Sequence, residues 1–259
     1  MKTKPILIIL SIVTMSLYSG CTKMLPCVHG NGDVVEIKRE NFPEFNQIVS
    51  SGSFVVEVVN DNEWYVEIQA ESNLISLIET KVNKGRLNIG VSSNHCINTQ
   101  KLVKIKVHVP EVNYLGLSGS GAILAEDHQY NSLEIRLSGS GNIEVITNAV
   151  EIISLISGSG NIKIDCNAEY MEGTISGSGN ISAQGFAKTT DWNIIGSGNI
   201  LSSLLEQEDS ECVINGSGNI HIWATDTLKV LINGSGNILY IGNPDIDVTI
   251  NGSGKLIKA

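Results

Sequence analysis

The feature that most constrains this chain is a Gly-Ser-Gly core repeated eight times in the last 140 or so of its 259 residues. Its first glycines are Gly119, Gly139, Gly158, Gly177, Gly196, Gly216, Gly234 and Gly252, at intervals of 18 to 20 residues. Most copies continue into Asn-Ile. Two residues before each first glycine stands Leu or Ile, from Leu117 to Ile250; four after it stands Ile or Leu, from Ile123 to Leu256. Further apolar residues follow at every second position, which is strand periodicity. Each repeat therefore reads as a short strand, a glycine-rich bend, a second short strand and a variable connection.

One such unit cannot bury its apolar face alone, whereas stacked units bury a continuous column. A period near 19 with no helical segment predicts an all-β, parallel β-helix (β-solenoid), about 4.8 Å per coil. The general preference for right-handed parallel crossovers makes it right-handed. A propeller blade needs about 40 residues, twice this period. The glycines are expected to turn a sharp corner through positive φ. The serines between them (Ser120 to Ser253) and the asparagines after them (Asn142, Asn161, Asn180, Asn199, Asn219 and Asn237) are expected to stack as two ladders. Lys255 and Lys258 break the pattern in the last coil and are expected to block edge-to-edge growth.

The domain plan is 1–20 leader, 21–32 tether, 33–110 β-rich N-terminal cap continuous with the solenoid, and 111–259 repeats. Lys2, Lys4 and the apolar run Ile6 to Tyr18 form a leader too short for a membrane span. It ends in Leu17-Tyr18-Ser19-Gly20-Cys21, which resembles a bacterial lipobox and implies lipidation at Cys21. Losing Lys2 and Lys4 deepens the formal net charge from −10 to −12. That acidity argues against nucleic acid as a partner. In the cap, Gly30 to Val34 and Ser51 to Phe54 read as degenerate corners. Trp64 to Ile68, Leu87 to Val91 and Lys104 to Val109 read as strands. Ser72 to Lys84 reads as a short helix capped by Ser72, with Leu74, Ile75 and Ile78 on one face.

The Ser-Gly-Ser-Gly-Asn-Ile repeats after a lipoprotein-like leader resemble the bacterial family of auto-transporter adhesins with a head GIN domain, common among envelope lipoproteins of Bacteroidetes. The resemblance spans about residues 33–257. It implies a β-helical, non-enzymatic, adhesive envelope protein and supplies no catalytic residues.

The residues themselves favour binding over catalysis. The glycine segments lack the Lys-Ser/Thr and following helix of a phosphate loop, and Asn stands where calcium-binding β-rolls need Asp. His29, His95, His108, His128 and His221 have no metal-ligand spacing and read as solvated or loop residues. Glu206, Glu208, Asp209 and Glu211 read as a solvated loop face. No catalytic residue, cofactor or metal site is predicted. Cys27 and Cys96 are the pair left for a disulfide, because Cys166 and Cys212 fall two coils apart and read as small buried hydrophobes. Leu155, Leu201, Val213, Trp223, Leu231, Leu239 and Ile241 fall on outward positions and form the candidate partner surface. The expected partners are the membrane through the lipid, a glycan, a host or envelope protein, or a second copy. The expected address is the outer membrane, facing periplasm or surface. A structural envelope lipoprotein and a polysaccharide-active β-helix enzyme are the alternatives.

Overall fold

The computed structural model describes residues 27–259, with the side chains of 126–128 left aside; the leader and Cys21 lie outside the described residues. The chain folds as an all-β parallel solenoid. Asn142–Ile156 lies parallel on Asn161–Ile175, with Ile143 beside Ile162 and Ile156 beside Ile175. The same register carries on through Asn180–Ile194, Asn199–Ile214 and Asn219–Ile232. Ile123, Ile143, Ile162, Ile181, Ile200, Ile220 and Ile238 are consequently buried in one column. Each such side chain contributes about 1.5–3 kcal/mol by leaving water.

The glycines do a different job from the one expected. At most corners φ lies outside the left-handed region, Gly196, Gly234 and Gly252 being among the few exceptions. What they supply is a missing Cβ. The carbonyl of each first glycine accepts amides from the next coil: Ser159 and Gly160 both donate to Gly139 at 3.0 Å, and Ser178 and Gly179 to Gly158 at 3.0 and 3.1 Å. A Cβ on Gly158 would collide with that Gly139 carbonyl, and one on Gly177 with the Gly158 carbonyl. The asparagine ladder forms as expected: Asn161, Asn180, Asn199 and Asn219 each donate Nδ2 to the Oδ1 of the preceding coil at 2.9–3.1 Å. The corner serines contribute mainly through their backbone amides. A second ladder, Asn215–Asn233–Asn251, begins where asparagine replaces serine before the glycine, with bonds of 2.8 and 2.9 Å.

Chain order and stacking order differ at the N-terminal end. Gln47–Ser50 and Val55–Asn60, joined by the Gly52 corner, form a coil onto which Tyr114–Leu117 and Ala122–Leu137 pair in parallel. Ser120 and Gly121 donate to the Gly52 carbonyl, so Gly52 occupies the place beneath Gly119 despite a 67-residue gap. On its other side lie Arg86–Val91 and Lys104–Val109, also parallel. Segment 47–60 is thus inserted between later parts of the chain. Antiparallel strands then close this end: Ile78–Asn83 on Arg86–Val91, Tyr65–Glu71 on Lys104–Val109, and Val34–Arg39 outermost.

Two local readings are corrected. The Ser72–Lys84 segment is a 3-10 turn over Ile75–Leu77 followed by the strand Ile78–Asn83. Lys84 and Gly85, at φ 51° and 74°, make the two-residue hairpin turn that pairs this strand with the next. Gly30 to Val34 is no corner either. Gly30 packs against the buried Glu71, whose carboxylate accepts the amides of Gly32 at 2.6 Å, Gln100 at 2.9 Å and Lys101 at 3.3 Å. Cys27 and Cys96 are disulfide-bonded beside this clip, while Cys166 and Cys212 are free and buried.

Burial pushes the Cys166 thiol up to about 12 and raises Cys212 as well. Iodoacetamide at about pH 8 should label neither thiol in the native protein and both after denaturation without reductant; native labelling of either contradicts the packing. Burial pushes Glu71 upward, but the three amides outweigh it and hold its carboxyl below the usual range. Its contribution is complete above the ordinary carboxylate value, about 4.3, and is lost as pH falls through the lower folded value. Proteolytic cutting around residues 27–33 should rise on acidification from about pH 5 to about pH 2, and Glu71→Gln should flatten that dependence.

Candidate functional site

In a solenoid, one outward position of every coil forms a row along the axis. Three residues before the first glycine, that row runs Val49, Gly116, Arg136, Leu155, Thr174, each beside the next. The serines one residue before the glycine form the neighbouring row. Gly116 leaves a dent between larger neighbours, and the Tyr114 ring leans over it: a Cβ on Gly116 would meet Tyr114 Cε1 at 2.9 Å and Val49 Cγ2 at 3.2 Å. The dent opens into a groove of about 360 Å³ lined by Val49, Tyr114, Arg136, Leu155 and the serines Ser118 to Ser176.

Charge on this face is unevenly spread. Arg86 sits with Cζ 5.1 Å from the Tyr114 ring centre, and its Nε donates to Gln47 at 2.9 Å. Arg136 Nε donates to the Glu134 carboxylate. That contact raises the Arg136 guanidinium above its ordinary value. Farther along, Glu172, Asp191 and Glu211 stand side by side in successive coils. Tyr170 donates to Asp191 at 2.6 Å and Lys229 to Glu211 at 3.1 Å. Both of these arginines stand near the N-terminal end of the face, Arg136 already paired with Glu134, and the carboxylates of Glu172, Asp191 and Glu211 follow beyond.

The seven predicted surface residues all point outward, but the structure divides them. Leu155 lines the groove; Val213 and Leu231 lie farther along the same row. Leu201, Leu239, Trp223 and Ile241 lie beyond the glycine corner on the next face, where Leu201 and Leu239 flank His221, and Trp223 neighbours Ile241. Leu204, 71% exposed, joins them and escaped the pattern because an extra residue shifts the register of its coil. The larger apolar exposure is at the C-terminal end. Asp245–Ile250 and Lys255–Lys258 pair only with the coil before them among the described strands. Their core-facing Ile246, Val248 and Ile250 are therefore 40–44% exposed. Lys258 lies beside Tyr240 in this last coil and donates to Asn243 at 3.3 Å.

Glu206 to Glu211 belong to the strand Asn199–Ile214 rather than to a loop. His108, read as solvated, is buried: Nδ1 lies 3.2 Å from Asp61, Nε2 3.6 Å from Glu67, and Tyr65 stacks on it at 3.9 Å. Gln207 sits inside the solenoid, accepting from Trp192 at 2.7 Å and Thr190 at 2.8 Å.

The buried and open ends of one row give a direct comparison. Val230→Thr, 2% exposed, should cost about 1–3 kcal/mol in chemical unfolding. Val248→Thr, one coil on and 44% exposed, should cost less than about 1 kcal/mol. Equal losses would mean that the last coil is covered.

The family profile described as "Putative auto-transporter adhesin, head GIN domain" matches residues 44–244. Among solved structures, a protein from Parabacteroides distasonis described as a putative lipid binding protein is 28% identical. It covers 90% of this chain and 100% of its own, with a TM-score of 0.84. A putative adhesin from Parabacteroides merdae is 23% identical over 90% of this chain and 98% of its own, with a TM-score of 0.83, and bears on the fold alone. No curated protein matches.

Proposed function

Because the chain belongs to the family of putative auto-transporter adhesins with a head GIN domain, we propose that it is a non-catalytic binding module of the bacterial cell envelope. The observation that carries this reading is the preformed groove on an otherwise regular outward face, built by the Gly116 dent beneath Tyr114. The adhesin description of the family and the lipid-binding description of the 28% identical Parabacteroides distasonis protein support the same class of role. We place it as an outer-membrane lipoprotein anchored at Cys21. Five residues lie between Cys21 and the disulfide at Cys27, a span of six peptide steps. Extended chain over that distance reaches about 20 Å. The N-terminal cap would then stand close to the membrane and the open C-terminal end far from it.

The test is surface proteolysis of intact cells joined to a screen of glycans and matrix proteins. Surface digestion and a bound ligand are expected. Protection from protease with a co-purifying envelope protein would favour a structural lipoprotein, and turnover of a polysaccharide an enzyme.

The open end favours a second property of the same module, end-to-end pairing of two copies. Antiparallel pairing of Asp245–Ile250 with itself about Val248 sets Ile246 opposite Ile250 and Asp247 opposite Thr249. The apolar residues then share one face and no like charges oppose. Shifting the axis to Asp247 would set two carboxylates opposite. Light scattering should give a mass that rises to a dimer with concentration, and Val248→Lys should hold it monomeric. A wild-type monomer throughout the range counts against the pairing.

A further inference from the structure

We propose that the groove beside Arg136 binds an oligosaccharide carrying a single carboxylate, an inference that rests on the binding-module reading and gives it a ligand class. The chain has three arginines against 27 acidic residues. Arg39 is consumed by the Ile75 and Ile78 carbonyls and Thr80. The other two flank Tyr114. Each is held through Nε, by Gln47 and Glu134, and among the described residues no hydrogen bond engages either one's Nη groups. A guanidinium fixed in this way presents a paired N–H edge that matches a carboxylate.

The rest of the groove suits a sugar. Ser138 and Ser157 repeat their hydroxyls at the coil spacing, about 4.8 Å, close to the length of one sugar in an extended chain. Leu155 lies among them and gives an apolar surface for the C–H face of a ring. A phosphate group alone would use the arginine and leave the serine row idle. The neighbouring carboxylates limit the charge the ligand can carry. Glu134 already pairs with Arg136, and Glu172, Asp191 and Glu211 follow along the same row, so a chain charged at every sugar would be repelled. The site therefore favours one acidic sugar, seated at Arg136, followed or preceded by neutral ones.

The experiment measures binding of 3′-sialyllactose, glucuronate-capped lactose, lactose and hexagalacturonate to the full chain by titration calorimetry and NMR shift mapping. Phosphatidylglycerol vesicles form a further arm. At least one singly charged saccharide should bind at least tenfold more tightly than lactose and than hexagalacturonate. Arg136→Gln should abolish that preference and Arg136→Lys should restore only part of it. Lys229→Gln, on the same face outside the groove, should leave binding unchanged. Arg136 is mostly exposed, so an unchanged melting temperature should accompany its loss of binding. The inference is overturned if neither acidic saccharide binds better than lactose, or if Arg136→Gln binds like wild type. Capture on vesicles that needs Arg136, without saccharide binding, overturns it in favour of a lipid headgroup. Lactose bound equally by wild type and Arg136→Gln overturns the acidic-sugar assignment while leaving the binding-module reading intact.

Discussion

The structure depends on how closely one backbone can approach another at a single corner. The carbonyl of each first glycine receives amides of the coil above, and the Cα of that coil's own first glycine lies over the same oxygen. Any side chain there would separate the coils. Once the corner closes, the strands on both sides are forced into parallel register, and register is what stacks isoleucine on isoleucine and asparagine on asparagine. The ladders and the core are consequences of that approach. They add stability to a spacing the glycines permit.

The same regularity shapes the site. Because outward positions repeat as rows, a functional feature can arise from one irregular member. Gly116 in a row of larger residues makes the dent, and Tyr114 and Arg136 stand where it opens. The two ends differ for a related reason. At the N-terminal end antiparallel strands cover the stack, with charged Lys38 and Arg39 on the outermost strand. At the C-terminal end the last coil presents the residues that every earlier coil buries.

The repeat made the solenoid, its core columns and the asparagine ladder legible in the sequence, since all depend on position relative to one tripeptide. The inserted coil was less legible. Ser51 to Phe54 looks like a corner, but its pairing with both Arg86–Val91 and Tyr114–Leu117 is non-local. The false helix over Ser72–Lys84 arose because Leu74, Ile75 and Ile78 match a helical face, whereas the Lys84-Gly85 turn commits Ile78–Asn83 to a hairpin. The groove was missed because its key residue is a glycine, and because Arg86 reaches Tyr114 only through the out-of-order coil. The glycines' purpose was misread for a physical reason as well: positive φ and a missing Cβ leave the same mark in a sequence.

Chemical unfolding of Gly177→Ala against Ser178→Ala separates these two purposes. Gly177 is not among the positive-φ residues, so φ does not exclude alanine there, whereas an alanine Cβ would strike the Gly158 carbonyl. The account predicts that Gly177→Ala loses at least about 2 kcal/mol, while Ser178→Ala, on an exposed side chain, stays within about 0.5 kcal/mol of wild type. Equal stability of the two variants would contradict it.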